Sequence, residues 1–156
     1  MKQVTLGKTG ITVPQNGFGA LPIQRISQED AVYLLRKAYA GGMRFFDTAR
    51  TYSNSETKVG AAFGDGYIRR EDIVIATKTA AKTPEDFWKD LDRSLTELKT
   101  DYIDIYQFHM MGSCSPDWDG ARPPCGSSSR QTRRFDKNHD TGRSFQPRIP
   151  ARSSAP

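Results

Sequence analysis

Residues 45–56 read FFDTARTYSNSE and combine the end of a strand, a turn and the start of a helix. The two phenylalanines are typical of a buried strand, and Asp47 is the first polar residue after them. Ser53 followed three positions later by Glu56 matches a capping box, which predicts that a helix begins just after Tyr52. We therefore expect Asp47 and Tyr52 on one strand-to-helix loop, the place where barrel and open-sheet α/β enzymes keep their chemistry.

The flanking segments alternate between strand and helix patterns. Strand-like segments begin at residues 17, 45, 73 and 102, so successive starts are 28, 28 and 29 residues apart. This spacing predicts parallel strands joined by helical crossovers, after a short β-hairpin over residues 3–13. A wound parallel sheet and the first half of a (β/α)8 barrel would both produce it. The first helix is expected to follow Ser27 and to bury one stripe of side chains: Ala31, Leu34, Leu35, Ala38 and Tyr39.

The composition changes abruptly near residue 111. Residues 1–111 carry 15 Lys or Arg and 14 Asp or Glu, whereas residues 112–156 carry eight and four. The second segment is rich in Ser, Pro, Gly and Arg and contains no Leu, Val, Tyr or Glu, so it cannot build an apolar core. We therefore predict a folded domain over 1–111 and a disordered basic tail over 112–156.

Three ionisable residues fall at the carboxyl ends of successive predicted strands. They are Asp47, Lys78 and His109, and Tyr52 follows the first of these ends by five residues. In a barrel such positions converge on one mouth. Each residue alone has an ordinary explanation as a surface or hydrogen-bonded side chain. Four of them at matching depths point instead to a site.

Three motifs give the sequence a family resemblance. FDTARTYSNSE at 46–56, IATK at 75–78 and IDIYQFH at 103–109 resemble the aldo-keto reductases, and the similarity covers residues 1 to about 111. It is closest to bacterial members related to the ferredoxin-type predicted oxidoreductases. The resemblance implies a (β/α)8 barrel, of which this chain has the first half, a nicotinamide cofactor that is usually NADP, and reduction of an aldehyde or ketone. It also implies a catalytic tetrad of Asp47, Tyr52, Lys78 and His109.

The implied chemistry explains these residue types. When hydride reaches a carbonyl carbon, negative charge develops on the oxygen and a proton must arrive there. Tyr52 would donate that proton, and the ammonium of Lys78 would make the phenol more acidic. Asp47 would hold Lys78 and keep it charged, and His109 would hydrogen-bond the carbonyl oxygen.

The resemblance also implies where NADP would bind. Gly19 and Ala20 are expected to line the nicotinamide pocket by position, together with Asp47. The family's remaining cofactor contacts lie in the second half of its barrel, and nothing in residues 112–156 matches them. We therefore expect most of the NADP site to be missing and the chain to be weakly active or inactive. No metal is expected in this site.

Three explanations compete for the tail. The abrupt change in composition favours a frameshift, the explanation that we prefer. A natural basic arm that binds RNA, DNA or acidic partners is the second, and it defines the alternative function of a non-catalytic half-barrel scaffold. A metal-binding appendage built from Cys114, Cys125 and His139 is the third, and no Cys-x-x-Cys pair supports it.

The remaining expectations concern partners and compartment. The expected partner is a small carbonyl compound, and nucleic acid is not expected as the main ligand. No apolar run is long enough to cross a membrane and no signal peptide is evident, so we expect a cytoplasmic protein. A half-barrel has two open strand edges, which predicts self-association.

Overall fold

The computed structural model describes residues 1–109 and the short strand Phe135–Asp136. The strands are β1 (Gln3–Thr5), β2 (Thr12–Pro14), β3 (Phe18–Gly19), β4 (Phe45–Asp47), β5 (Val74–Thr79), β6 (Tyr102–Ile103), β7 (Ile105–Phe108) and β8 (Phe135–Asp136). The α-helices are α1 (Gln28–Ala40), α2 (Ser55–Phe63) and α3 (Pro84–Glu97). Short 3-10 helices cover Pro22–Arg25 and Arg70–Asp72.

A four-stranded parallel sheet forms the centre of the fold. Its order is β3-β4-β5-β7, with every neighbouring pair parallel and one helix between consecutive strands. The strands therefore follow one another in chain order, as in a barrel, whereas a doubly wound sheet reverses direction at a switch point. The predicted α/β architecture of a partial barrel is confirmed. The predicted hairpin is also present, because β1 pairs antiparallel with β2.

The first helix has the predicted cap but a narrower buried face. The Ser27 side chain accepts a hydrogen bond from the backbone N–H of Asp30 at 3.0 Å, as expected for an N-cap. Ala31 and Leu35 are fully buried, whereas Leu34 is 42% exposed, so its predicted burial is wrong. Leu34 lies on a flank of α1 that no described element covers.

The predicted capping box at Ser53 is wrong. Helix α2 begins at Ser55 with Asn54 as its N-cap, and Ser53 has a positive φ of 51°. Glu56 is 1% exposed and accepts a hydrogen bond from the Thr77 hydroxyl at 2.6 Å, so its carboxylate points into the fold instead of back to the helix start. A buried acid-base cluster therefore decides the position of Glu56.

The last predicted strand is divided into two. Asp104 separates β6 from β7, and its carboxylate accepts hydrogen bonds from the backbone N–H of Ile75 at 2.9 Å and from Arg70 at 2.7 Å. Strand β6 pairs antiparallel with β8, which lies in the segment predicted to be a tail. The other residues of 112–156 lie outside the described part of the chain, including Cys114, Cys125 and His139.

Helices α2 and α3 approach each other at a glycine. A Cβ atom added to Gly60 would lie 2.1 Å from the carbonyl oxygen of Glu97 and 2.9 Å from the carbonyl carbon of Leu98. Only a residue without a side chain fits between these backbones. The contact brings the end of α3 next to α2, which matters for the ion pairs described below.

The parallel sheet of the described strands has an edge at β3 and another at β7. Strands β3 and β7 each have one neighbour in the parallel sheet formed by the described strands. Self-association through these edges stays a prediction. Within residues 1–109, no helix has the length and apolar character needed to cross a bilayer.

Candidate active site

The parallel register brings the four predicted site residues to one end of the sheet. Asp47 is the last residue of β4 and lies beside Gly19 of β3 and Ala76 of β5. Lys78 is near the end of β5, and His109 follows β7 directly. Carboxyl ends of adjacent parallel strands share an edge, so side chains tens of residues apart in sequence converge there.

The Lys78 ammonium is held by three acceptors. Its Nζ lies 2.7 Å from each carboxylate oxygen of Asp47 and 2.8 Å from the backbone oxygen of Thr48. An ammonium has three N–H donors, so all three are used. Asp47 therefore contacts Lys78 directly, as its predicted role as the partner of Lys78 requires.

Tyr52 lies on the loop between β4 and α2 and faces this ion pair. The Lys78 Nζ is 5.4 Å from the centroid of its ring, and the imidazole of His109 meets the ring edge-on with centroids 5.5 Å apart. Within residues 1–109, no hydrogen bond to the Tyr52 hydroxyl is present. The structure therefore brings Asp47, Tyr52, Lys78 and His109 into one cluster.

The pKa of Tyr52 moves opposite to the direction predicted. Burial and the charge of Asp47 raise it above the ordinary value of 10.0, whereas the sequence predicts that Lys78 lowers it. The reason is that Asp47 occupies two donors of Lys78 and neutralises the pair, which leaves the phenol without a cationic hydrogen-bond partner. The phenol consequently keeps its proton throughout the neutral range.

His109 is positioned by two hydrogen bonds. Its backbone N–H donates to the Thr79 oxygen at 2.7 Å, and its ring Nδ1 lies 2.7 Å from the hydroxyl oxygen of Thr51. Burial and the positive charge of Lys78 lower the pKa of His109, with Asp47 opposing them. The ring is therefore neutral near pH 7. Sequence reasoning missed Thr51, although its place next to Tyr52 in the first motif was a usable signal.

A buried ionic cluster lies beneath the Tyr52 loop and was also missed. The Arg50 guanidinium pairs with Glu56 and, at 2.9 Å, with Glu97 at the end of α3; the side chains of Arg50 and Glu56 are 8% and 1% exposed. The backbone N–H of Arg50 donates to the Lys78 oxygen at 2.9 Å. Arg50 therefore connects the Tyr52 loop to α3 through its side chain and to β5 through its backbone N–H.

The predicted cofactor contacts differ in accessibility. Gly19 and Asp47 line a cavity of about 320 Å³ between the hairpin and the sheet, and no atom lies within 4 Å of a Cβ added to Gly19. Ala20 is fully buried, with its N–H bonded to the Asp47 oxygen and its own oxygen to Ser55. Gly19 and Asp47 therefore have open space beside them, and Ala20 has none.

Metal binding has no support in the part of the chain that the structure describes. Within it, no three His, Cys, Asp or Glu side chains come together as ligands. The four clustered side chains are one carboxylate, one ammonium, one phenol and one imidazole, a set suited to proton transfer and oxyanion binding.

Comparison with known proteins gives the family. The model of the aldo/keto reductase family matches residues 15–142. L-galactose dehydrogenase of Arabidopsis thaliana is 36% identical over 116 residues, which are 67% of this chain and 36% of the relative. The NADPH-dependent D-xylose reductase of Meyerozyma guilliermondii is 32% identical over 107 residues, 65% of this chain and 32% of the relative. A solved aldo/keto reductase from Brucella melitensis is 37% identical with a TM-score of 0.59, covering 69% of this chain and 40% of that one.

The extent of these matches defines what they show. The chain spans about a third of the length of the curated relatives it matches, and the family model covers the strand ends that carry Asp47, Lys78 and His109. Sequence motifs, sheet order and family model agree over this part, and the relatives are oxidoreductases by name. The chain belongs to the aldo/keto reductase family.

Proposed function

We propose that this chain carries the catalytic half of an NADPH-dependent reductase that converts an aldehyde or ketone to an alcohol. The single observation that supports this function most strongly is the Lys78–Asp47 pair, which lies against Tyr52 and His109 at the end of four parallel strands. An ammonium with both carboxylate oxygens at 2.7 Å is a firmly positioned charge, and the phenol and imidazole beside it are the two groups needed around a carbonyl oxygen.

The proton comes from Tyr52. Its hydroxyl is protonated at neutral pH and donates as negative charge develops on the carbonyl oxygen, although the raised pKa makes the phenol a weaker acid than an ordinary tyrosine. NADPH, when bound, supplies the hydride that adds to the carbonyl carbon. The carbonyl gains one hydride and one proton, and Tyr52 recovers its proton from solvent. Lys78 offsets part of the negative charge, since its ammonium lies 5.4 Å from the centre of the tyrosine ring.

The neutral imidazole of His109 fits the role of an oxygen-binding donor. A lowered pKa removes the second ring proton near pH 7, so only one ring nitrogen carries hydrogen. That nitrogen would hydrogen-bond the carbonyl oxygen and orient it toward Tyr52. Gly19 and Asp47 would hold the nicotinamide end of the cofactor, because both line a cavity of about 320 Å³ and Asp47 also contacts Lys78 of the site. The name of the NADPH-dependent relative supports NADPH as the reductant.

The test is a titration of the full chain with NADPH, followed by nucleotide fluorescence. Saturable binding with a Kd in the micromolar range supports the reductase. Salt-sensitive binding to RNA without NADPH binding would support the alternative, a non-catalytic half-barrel that binds polyanions through the basic tail.

Turnover is measured on the same samples with a simple aldehyde such as glyceraldehyde. The parent chain is expected to turn over slowly, because most of the NADP site is expected to be missing. Tyr52→Phe removes the proton donor and is expected to lower that slow reduction by about 10²–10⁴-fold, with NADPH binding at the parent level. Tyr33→Phe is the matched control, because Tyr33 lies on α1 and is 62% exposed. Equal turnover in Tyr52→Phe and Tyr33→Phe would refute the assignment of Tyr52.

A further inference from the structure

One contact at the site belongs to no residue of the predicted tetrad. The hydroxyl oxygen of Thr51 lies 2.7 Å from Nδ1 of His109, although the two residues are 58 positions apart. Thr51 is exposed and follows β4, whereas His109 follows β7, so the bond joins the ends of strands that are not neighbours in the sheet. The contact links the loop of Tyr52 directly to the imidazole.

The partner of one ring nitrogen determines the state of the other. A neutral imidazole has one N–H and one lone pair, and the hydrogen bond at Nδ1 selects which nitrogen is protonated. If the Thr51 hydroxyl donates to Nδ1, the proton must be on Nε2. If Nδ1 donates to Thr51, Nε2 has only a lone pair and cannot bind a carbonyl oxygen.

None of the other groups at the site determines which ring nitrogen of His109 carries the proton. Lys78 spends its three donors on Asp47 and on the Thr48 oxygen, so no ammonium hydrogen is left for the imidazole. The Tyr52 ring contacts His109 edge-on, which is a packing contact. The backbone N–H of His109 is bonded to Thr79 and fixes the main chain without touching the ring. Within residues 1–109, the Thr51 hydroxyl is the hydrogen-bond partner of the ring.

We propose that Thr51 is a positioning residue: its hydroxyl donates to Nδ1 of His109 and holds the imidazole as the Nε2–H tautomer. The direction of the bond rests on the proposed function, because a carbonyl oxygen requires a donor at Nε2. Thr51 itself need not touch substrate. It acts through His109, by the same logic with which a second hydrogen bond orients a metal-binding histidine.

The experiment reads the tautomer directly by ¹⁵N NMR of the full chain labelled at histidine. The chain has two histidines, so a His139→Gln background leaves His109 as the single imidazole. Spectra are recorded in alkaline buffer, where the ring is neutral. The same chain unfolded in urea gives the reference ratio of the Nε2–H to the Nδ1–H tautomer. The expected result is a protonated Nε2 and an unprotonated, hydrogen-bonded Nδ1, with a larger Nε2–H fraction than in urea.

Two variants of Thr51 separate the hydroxyl from the packing. Thr51→Val keeps the shape without the donor and is expected to move the tautomer ratio toward the urea value, whereas Thr51→Ser keeps the wild-type ratio. An Nδ1–H tautomer in the parent chain, or equal ratios in the Val and Ser variants, would overturn the proposal.

An NADPH titration on the same samples keeps the two ideas apart. NADPH binding together with an unbiased tautomer refutes the role of Thr51 and leaves the proposed function standing. A biased tautomer that responds to Thr51→Val, without NADPH binding or turnover, supports the hydrogen bond and refutes the reductase function. If NADPH binds and Thr51 biases the tautomer, Thr51→Val is expected to lower kcat while NADPH affinity stays at the parent value.

Discussion

Asp47→Asn is the perturbation that best tests the geometry of the site. It removes the charge that faces the Lys78 ammonium but keeps the size of the side chain. A matched control exists in Glu85→Gln, because Glu85 and Lys89 form a pair with the same 2.7 Å separation. The two pairs differ in burial: the Lys78 and Asp47 side chains are 16% and 34% exposed, against 68% and 78% for Lys89 and Glu85.

The expected magnitude follows from that burial. Breaking a fully buried ion pair costs about 3–5 kcal/mol, because one charge stays behind without a partner. Water reaches a third of Asp47, and Lys78 keeps its bond to the Thr48 oxygen, so we expect about 1–2 kcal/mol for Asp47→Asn. For a small domain each kcal/mol changes Tm by about 4–8 °C, which predicts a fall of roughly 5–15 °C. Glu85→Gln should leave Tm unchanged.

Thermal unfolding followed by circular dichroism measures both variants. Lys78→Met and the double variant Asp47→Asn/Lys78→Met complete a thermodynamic cycle. The double variant should be more stable than the sum of the single losses predicts, because removing both charges leaves no unpaired ion. An Asp47→Asn variant that melts no lower than Glu85→Gln, or a cycle with no coupling, would refute the view of a partly buried, firmly held pair.

Three further outcomes are expected from the described structure. Leu91→Ala, at a fully buried position, should lower the free energy of unfolding by about 2–5 kcal/mol in denaturant titrations, whereas Leu34→Ala, at an exposed one, should change it little. Gly60→Ala should destabilise the chain despite the better helix propensity of alanine, because the new methyl group would lie 2.1 Å from a backbone oxygen of α3. A Tm of Gly60→Ala at or above the parent value would contradict the close approach of α2 and α3. The pKa of His109 is lower in the folded chain than in the unfolded chain, so the unfolded chain binds a proton at His109 more readily than the folded chain does. The free energy of unfolding should therefore fall as pH drops below about 6.5. A His109→Gln variant should show a flatter plot of Tm against pH than the parent chain, and identical plots would contradict the burial of the ring.

Local patterns in the sequence were sufficient for most of the elements. The cap at Ser27 depends on a side chain and a backbone N–H three residues away, so the local sequence predicts it and the structure has it; Thr83 caps α3 in the same way. The strand spacing and the family motifs likewise predicted the parallel sheet. The strand ends at Asp47 and Lys78 followed from that spacing, because carboxyl ends of parallel strands share one edge.

The failures occurred where distant groups compete for a residue. Glu56 satisfied the local rule for a capping box, but Arg50 and Thr77 offered a buried ion pair and a hydrogen bond that the local rule does not include. Leu34 satisfied the helical period, yet the flank on which it lies is exposed. In both cases the tertiary surroundings override a pattern that spans only a few residues.

The order of strands and helices, the family and the types of side chain at the strand ends can therefore all be predicted from the sequence. These depend on periodicity, caps and motifs that act over short distances along the chain. Three properties of the site become visible only in the folded chain: Asp47 takes two of the three donors of Lys78, the pKa of Tyr52 is raised, and Thr51 contacts His109. They cannot be predicted from local sequence because they depend on distances between groups, and on desolvation of groups, that come together only when the strands align.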